Sequence, residues 1–574
     1  MKTTPHSRRA FLRHSSIAAA ALSAPRVLLG ANTKPALPDF TSLTLEQQVG
    51  QMVIARLQDW ALMEKYAKQG LISGMTPSLT KLKPAEVAEF TNRFQQLSPI
   101  PLLLGWGGIS YSGGTPVDLQ RTMRLGATRN PELCRAAGRI EAAEARALGF
   151  QFAGAPVLDV NLNPENTIIN LRSIGDDPAL VTRLGGELTR GTIEGGAAPI
   201  FMHFPGHGAT RGDSHIEMPL AERTLAELEA VELRPFAELI HQGLARVICT
   251  NHCHYPALDS EKKPATLSRK IVTGLLRERL GYEGVILSDS LTMKPIKDNY
   301  GIEEAAILTV MAGHDLILQD YQSDPKITID ALVRAVRQGR ISLAQVEQSV
   351  RRVWKLKEKL GLFERRLVDP SSIPQVFATA ESAEIARRIA RESVTLLENR
   401  LTVAPGAKVL VVSNGSSATV DEDNAFKHSP TNHRLNEQVQ RRMPGAQTIV
   451  LSTTMKPEEM ERAFAAAQQA EIVVFGLFTR VRSYVEDAIQ VPKPYRALIE
   501  STAAAGLKIA FLNLGNPYVI ACLPKPAFSL CTFSDVPDSI DAAVQVLFGE
   551  LKPQGQLPVR ISDSYPFGHR VTRS

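Results

Sequence analysis

The chain has 574 residues, of which 44% are hydrophobic and 22% are charged, which is typical of a soluble globular protein. At about 150 residues per domain it is long enough for two to four domains. Its formal net charge of +6 comes mainly from five basic residues before position 32. The nearly neutral remainder lacks the basic surface of a nucleic-acid-binding or membrane-binding protein, so neither partner is predicted.

The first 31 residues resemble a bacterial export signal. Residues 7–12 read SRRAFL and are followed by a short alanine-rich apolar stretch. Paired arginines before such a stretch are typical of a twin-arginine signal peptide, and a basic disordered tail is the alternative. We therefore predict cleavage near Ala31 and export of the folded protein to the periplasm or beyond. No later apolar run reaches about 18 residues, so no membrane-spanning helix is predicted.

Between residues 40 and 365, short apolar runs alternate with longer segments of helical periodicity. Near-continuous apolar strands separated by helices indicate a parallel sheet that is covered on both faces. A count of eight runs favours a (β/α)8 TIM-like barrel, with an open doubly wound sheet as the alternative. The runs are QMVIARL (51–57), LISGM (71–75), PLLLGW (101–106), FAGAPVLDV (152–160), PIFMHF (199–204), RVICTNH (246–252), GVILSD (284–289) and HDLILQD (314–320).

A second α/β pattern follows a linker rich in charge, proline and serine at residues 366–380. We predict a doubly wound α/β sandwich domain over residues 381–574. Its apolar runs are KVLVVS, TIVLS, EIVVFGLF, KIAFLNLG and FSLCTFSD. The five cysteines are scattered and form no CxxC pair, so a disulfide framework is not predicted.

Polar side chains follow the later apolar runs of the first domain at the points where strands should end. They are Asn161 and Arg172 after the fourth run, His203 to His215 after the fifth, His252 and His254 after the sixth, Asp289 after the seventh and Asp320 in the eighth. In a parallel α/β barrel, reactive groups collect at the carboxyl ends of the strands. We therefore expect these side chains to line one pocket.

The stretch HFPGHGATRGDSH (203–215) allows three interpretations. Its histidines could bind a metal ion together with neighbouring histidines and Asp289, although Pro205 and Gly206 interrupt any helical spacing. It could equally be a structural turn. In the third interpretation Asp213 orients His215 for acid/base catalysis opposite a separate carboxylate nucleophile. Asp289 itself could be that nucleophile or the cap of the following helix.

Several motifs together resemble the family 3 glycoside hydrolases, and specifically their β-N-acetylhexosaminidase branch. The resemblance runs from about Leu43 to the C-terminus. It rests on PVLDVNLNPENTIINLRSIGDDP (156–178), HFPGHGATRGDSH (203–215), PATLSRKIVTGLLRERLGYEGVILSDSLTMKPI (264–296), AGHDLIL (312–318) and LFGELKPQGQLPV (547–559). The family implies a barrel followed by an α/β sandwich domain, and hydrolysis with retention of configuration and without a cofactor.

The resemblance also implies roles for individual residues. Asp289 matches the nucleophile that forms a covalent glycosyl-enzyme, and His215 matches the acid/base group of this branch, supported by Asp213. Arg172 and His203 match groups that bind the terminal sugar. A histidine acid does not repel an anionic Asp289, and we expect its glycine-rich loop to move during catalysis.

The chain departs from the usual family pattern around the sugar. Met202 and Ala209 stand where the family usually has lysine and aspartate, and Leu104 and Ser112 stand at the places of a sugar-binding aspartate and arginine. The sequence thus predicts the reaction type and leaves the sugar open. The function expected is hydrolysis of a terminal β-linked sugar, such as N-acetylglucosamine from cell-wall fragments. A carbohydrate-binding protein without efficient turnover, a glycosidase of different specificity and a metal-dependent hydrolase are the alternatives.

Overall fold

The computed structural model describes residues 42–56, 59–79, 82–105, 121–153, 156–319, 322–414, 431–452, 454–481 and 485–572. The predicted signal segment, Asp320 and Ser112 lie outside these residues. Within the described part of the chain, none of the helices combines the length and the apolar character needed to span a bilayer.

The N-terminal part contains seven described strands, each followed by helical structure. The strands are β1 (Val53–Ala55), β2 (Gly74–Met75), β3 (Leu103–Leu104), β4 (Ile200–Phe204), β5 (Val247–Thr250), β6 (Val285–Leu287) and β7 (Ile317–Leu318). The helices are α1 (Leu45–Gly50), α2 (Trp60–Lys68), α3 (Pro84–Leu97), α4 (Met123–Thr128), α5 (Pro131–Ala147), α6 (Pro178–Glu194), α7 (Leu225–Ala230), α8 (Leu233–His241), a π-helix (Lys270–Arg279), α9 (Lys294–Ala312), α10 (Pro325–Arg337), α11 (Leu343–Lys359), α12 (Ile373–Val376) and α13 (Ala380–Ser393).

These strands form two parallel ladders, in the orders β3-β2-β1-β7 and β4-β5-β6. An isolated parallel bridge from Leu287 to Leu316 links β6 to the residue just before β7. A single buried cluster takes side chains from both ladders, among them Ile54, Leu103, Met202, Cys249, Leu287 and Leu318. The predicted parallel α/β architecture is therefore confirmed.

Within its described residues, the fourth apolar run makes two isolated parallel bridges, from Phe152 to Ala198 and from Val157 to Met202. The backbone N–H of Leu158 donates to the carbonyl of Met202 at 2.8 Å, and the backbone N–H of Met202 donates to the carbonyl of Pro156 at 3.4 Å. The chain thus runs beside β4, which brings Asp159 and Asn161 to the carboxyl end of the sheet.

The C-terminal part is a six-stranded sheet in the order β10-β9-β11-β12-β13-β8. Buried apolar clusters cover both faces, as the predicted doubly wound arrangement requires. The strands are β8 (Thr395–Asn399), β9 (Val409–Ser413), β10 (Gln447–Val450), β11 (Ile472–Leu477), β12 (Lys508–Asn513) and β13 (Phe528–Cys531), and the helices are α14 (Thr431–Arg442), α15 (Pro457–Ala467), α16 (Lys493–Ala504) and α17 (Pro537–Leu547). The sequence prediction missed β8, a short edge strand that pairs antiparallel with β13.

Asp315 ties β6 to the chain that enters β7. Its Oδ2 accepts a hydrogen bond from the backbone N–H of Ile286 at 2.9 Å and another from Arg277, and its Oδ1 accepts from Arg352 at 3.0 Å. The carboxylate is fully buried. Two guanidinium groups therefore depend on one buried charge directly below the strand that carries Asp289.

We expect Asp315→Asn to lower the free energy of unfolding by about 3 kcal/mol, because it leaves two partly buried cations without their counter-charge. Guanidinium titration followed by tryptophan fluorescence measures this loss. The control is Asp330→Asn, which breaks an exposed pair with Lys326 and should cost less than about 0.5 kcal/mol. Equal, small losses in the two variants would contradict the assigned role of Asp315.

Candidate active site

Asp213 and His215 form a hydrogen-bonded pair in the loop after β4. His215 Nδ1 donates to Asp213 Oδ1 at 2.7 Å, and the backbone N–H of His215 donates to the same oxygen at 2.8 Å. The Asp213 side chain is 1% exposed and the His215 side chain is 18% exposed. Asp213 Oδ1 thus accepts both the backbone N–H and the ring Nδ1–H of His215. The Nε2 of His215 lies on the opposite edge of the ring.

His203 lies at the end of β4, between the Asp159 carboxylate and the Arg172 guanidinium group. Its Nδ1 donates to Asp159 Oδ2 at 2.7 Å, while its Nε2 accepts from Arg172 Nη2 at 3.4 Å. Asp159 also accepts the backbone N–H groups of His203 and His207. Burial raises the pKa of Asp159, but His203, His207 and these N–H bonds outweigh it and the net pKa is lowered. Asp159 therefore fixes the tautomer and the direction of the His203 ring.

Asp289 follows β6 and does not cap a helix, since α9 begins at Lys294 with Met293 as its N-cap. The helix-cap interpretation is therefore wrong. Asp289 Oδ1 accepts the backbone N–H of Ser290 at 2.7 Å. Removal from solvent raises the pKa of Asp289, but His252, His203, the Ser290 N–H and His215 lower it, and the net pKa falls below its ordinary value. Asp289 is thus a partly exposed carboxylate that stays ionised.

The loops that carry these residues meet. The backbone N–H of Lys294, shortly after Asp289, donates to the carbonyl of His215 at 3.3 Å. Burial lowers the pKa of Arg172, and the charges of Asp159, Asp289 and Asp213 oppose that shift. The structure thus brings together all five residues that the sequence singled out for catalysis and sugar binding: Asp289, His215, Asp213, Arg172 and His203.

Two other predicted residues do not join this group. The Asn161 side chain donates to the hydroxyl of Tyr518 in the C-terminal part, at 2.7 Å. His254 is buried in a bridge with Leu220, and its Nδ1 has no partner among the described residues.

Asp159 is the residue that the sequence analysis missed. It lies inside the apolar run that was assigned to the fourth strand, two residues before Asn161. A carboxylate in such a run was a signal in itself, because burying it requires hydrogen-bond donors nearby. Those donors come from His203 and His207, which only the fold brings to it.

The C-terminal part supports the turn that carries Arg172. Asn170, Leu171 and Arg172 form a single 3-10 turn. Asn170 Nδ2 donates to Asn516 Oδ1 at 3.3 Å, and Leu171 is buried in the apolar cluster of the C-terminal sheet. Arg172 is therefore positioned by both parts of the chain.

The three histidines of residues 203–215 have different side-chain partners. Within the described residues, no three His, Cys, Asp or Glu side chains are arranged to hold a metal ion. The third histidine, His207, is fully enclosed, with its Nδ1 2.7 Å from the Thr210 hydroxyl, and burial lowers its pKa to about 4. Its role is structural, because Asp159 and Thr210 hold it in the floor of the loop.

Three of the four positions that depart from the family pattern are described, and one of them, Ala209, lies partly buried in the loop after β4. Met202 is buried and its sulfur lies 3.8 Å from Arg172 Nη2. Leu104 lies in β3 and packs in an apolar cluster. Met202 thus adds an apolar wall beside Arg172, while Leu104 belongs to the core.

Comparisons with known proteins identify relatives of this chain. Residues 44–356 match the model of the glycosyl hydrolase family 3 N-terminal domain. The chain is 27% identical to beta-hexosaminidase A of Pseudoalteromonas piscicida over 83% of this chain and 87% of that protein. It is 31% identical to beta-hexosaminidase LpqI of Mycobacterium tuberculosis over 55% of this chain and 83% of that protein.

A solved structure covers both parts of the chain. It is a glycoside hydrolase family 3 beta-N-acetylglucosaminidase from Paenibacillus sp., 32% identical, with a TM-score of 0.79 over 91% of this chain and 99% of that chain. The family match spans more than half of the sequence, and this structural match extends through the C-terminal sheet. The chain therefore belongs to glycosyl hydrolase family 3 and is a glycoside hydrolase.

Proposed function

We propose that the protein is an exported retaining β-N-acetylhexosaminidase that removes a terminal β-linked N-acetylglucosamine from cell-wall fragments. The observation that carries this proposal is the Asp213–His215 pair beside an ionised Asp289. The names of the relatives and of the similar structure support the class of sugar. The segment at residues 1–31 supports export.

Asp289 acts as nucleophile in the first step. Its carboxylate attacks the anomeric carbon, and the bond from that carbon to the glycosidic oxygen breaks. His215 donates the proton on Nε2 to the leaving oxygen, and Asp213 stabilises the ring through Nδ1. A histidine acid suits this site because its neutral form does not repel Asp289.

Water completes the reaction in the second step. His215, now neutral, takes a proton from a water molecule, whose oxygen attacks the anomeric carbon. The bond to Asp289 breaks and the carboxylate is regenerated, so the sugar leaves with its original configuration. Arg172 and His203 bind the hydroxyl groups of the terminal sugar, with Asp159 fixing the direction of the imidazole.

The proposal includes the architecture that holds these groups. The two parallel ladders and the chain at residues 152–160 close into an eight-stranded barrel over residues 40–365, followed by the linker and the sandwich domain. The apolar cluster shared by both ladders and the bridges at Val157 and Leu287 support this closure. All the proposed catalytic and sugar-binding groups then lie at one end of the barrel.

Asp289→Ala should lower kcat by roughly 10⁴-fold, because no other group can form the glycosyl-enzyme. A panel of aryl β-glycosides, including the N-acetylglucosaminide, measures the loss and identifies the sugar. Asp298→Ala removes an exposed carboxylate from α9 and serves as the control. Turnover that survives Asp289→Ala would contradict the site, and no turnover of any sugar by the wild type would contradict the function.

His215→Ala should affect substrates according to their leaving groups. Loss of the acid should lower kcat/KM by about 10²- to 10⁴-fold for alkyl or sugar leaving groups and much less for a nitrophenolate, which departs without a proton. Asp213→Asn should reproduce the pattern in weaker form. Glu217→Gln changes an exposed carboxylate in the same loop and should leave kcat/KM unchanged for both kinds of leaving group. Equal losses for all leaving groups would argue against acid catalysis by His215.

Tyr518→Phe should raise KM several-fold and leave kcat nearly unchanged, because Arg172 binds the sugar equally in the ground and transition states. The variant leaves the buried Asn161 amide without its partner, a cost of about 1–3 kcal/mol that loosens the contact between the two parts. Steady-state kinetics test this, with Tyr565→Phe, which breaks a hydroxyl bond to Glu398 within the C-terminal part, as control. Unchanged KM in Tyr518→Phe would show that this contact does not position Arg172.

A further inference from the structure

Four buried side chains form a continuous hydrogen-bonded row behind Asp289. His252 Nε2 lies 2.9 Å from the carbonyl of Ser290, and its Nδ1 lies 2.9 Å from Thr266 Oγ1. Thr266 Oγ1 lies 2.9 Å from Thr250 Oγ1, which lies 2.9 Å from His314 Nε2. His314 Nδ1 ends the row 3.0 Å from the carbonyl of Thr309. All four side chains are buried. The mechanism proposed above uses none of them.

The two ends of this row fix where its protons lie. Both ends are carbonyl oxygens, which only accept, so His314 Nδ1 and His252 Nε2 must each carry a proton. Burial lowers the pKa of His314 to about 3, so its ring is neutral and its Nε2 accepts. The Thr250 hydroxyl donates to that nitrogen and has no second proton to give. Any proton between the two threonines can therefore come only from Thr266, whose hydroxyl also donates to the carbonyl of Asn251.

This assignment leaves His252 with two protons. The single proton of Thr266 faces Thr250 and the carbonyl of Asn251, which lies 2.8 Å away. None remains for His252 Nδ1, so that nitrogen donates to Thr266 Oγ1. If His252 were neutral, its Nδ1 would accept the Thr266 proton. The contacts of Thr266 Oγ1 with Thr250 Oγ1 and with the Asn251 carbonyl would then have no proton between the oxygens. Buried polar contacts of that kind are unfavourable.

The charges around His252 bear on the same question. Burial lowers the pKa of His252, and the nearby His215 and His203 act in the same direction. Asp289 and the Ser290 carbonyl oppose this shift, but the net pKa is lowered. Arg56 approaches from the end of β1 and donates to Ser290 Oγ at 2.7 Å. Asp289 is the counter-charge that a protonated His252 would have, and the hydrogen-bond pattern at Thr266 is what calls for the second proton.

We propose that His252 is a doubly protonated positioning residue, held in that state by the Thr266–Thr250–His314 row, which keeps Asp289 ionised and fixes the Asp289–Ser290 peptide. The inference rests on the proposed function only in taking Asp289 as the nucleophile. The cation stabilises the Asp289 carboxylate both before attack and when it departs in the second step. It therefore favours hydrolysis of the glycosyl-enzyme.

Nitrogen NMR of the whole enzyme labelled with ¹⁵N-histidine tests the protonation state without any turnover. The chain has 12 histidines, and His252→Gln assigns the His252 signals by their loss. We expect both His252 nitrogens at imidazolium positions at pH 7. One protonated and one unprotonated nitrogen would overturn the proposal, whether or not the enzyme cleaves N-acetylglucosaminides.

Thr266→Val provides a second test that keeps His252 in place. Valine has the shape of threonine without the hydroxyl, so the oxygen that accepts the His252 Nδ1 proton is removed, and we expect the His252 signals of a neutral ring. Thr273→Val is the matched control, because it removes a hydroxyl bonded to the carbonyl of Ala312, outside the row. Unchanged His252 signals in Thr266→Val would show that the row does not set its protonation.

Kinetics of His252→Gln separate a charge effect from a merely structural one. The glutamine amide can still donate to the Ser290 carbonyl, but the cation is gone. The cation depresses the pKa of Asp289, so its removal raises that pKa, and the acid limb of kcat/KM should move up by about one pH unit or more. With a nitrophenyl substrate, hydrolysis of the glycosyl-enzyme should become the slow step. We therefore expect kcat and KM to fall together and nitrophenolate to be released in an initial burst. An equal loss at every pH, without a burst, would overturn the proposal.

Discussion

A carboxylate that must stay ionised while largely removed from water is the constraint around which this site is built. Burial alone raises the pKa of Asp289, and an unpaired buried charge costs several kcal/mol. One backbone N–H and three histidines, drawn from β4, the loop after it and the end of β5, outweigh that effect. Because these groups come from different strand ends, only the assembled ladders allow the carboxylate to stay ionised once it is removed from water.

The same principle appears a second time at Asp159. That carboxylate is fully buried and accepts two backbone N–H groups together with the His203 ring. It differs from Asp289 in having no exposed face, so it can orient His203 but cannot reach a sugar. The site therefore contains one carboxylate, Asp159, that positions His203 and another, Asp289, that is partly exposed. A third, Asp213, is paired with the one histidine of the group that is noticeably exposed.

The proposed sugar-binding residues and the groups that hold them come from different parts of the chain. Arg172 is on a turn whose neighbours Asn170 and Leu171 are anchored in the C-terminal sheet. The hydrogen bonds described for Asp289 and His215 come from the N-terminal part. A change in how the two parts pack should thus alter sugar binding before it alters the chemistry.

Much of this could be predicted from the sequence. Apolar runs marked all seven described N-terminal strands, polar residues marked the ends of four of them, and the motifs marked Asp213, His215 and Asp289. The strand β8 was missed because a short edge strand has little pattern of its own. Asp159 and the row from His252 to His314 were missed for another reason. Their roles depend on contacts between residues far apart in sequence, which no spacing along the chain encodes.

The central claim is that Asp289 attacks the sugar directly as an ionised nucleophile. Inactivation with a 2-deoxy-2-fluoro aryl glycoside, followed by peptide mapping by mass spectrometry, tests it most directly. The account predicts one sugar per chain, attached to the peptide that contains Asp289 and absent from Asp289→Asn. A label on Asp213 or on any other residue, or a product of inverted configuration with no labelled peptide, would contradict it.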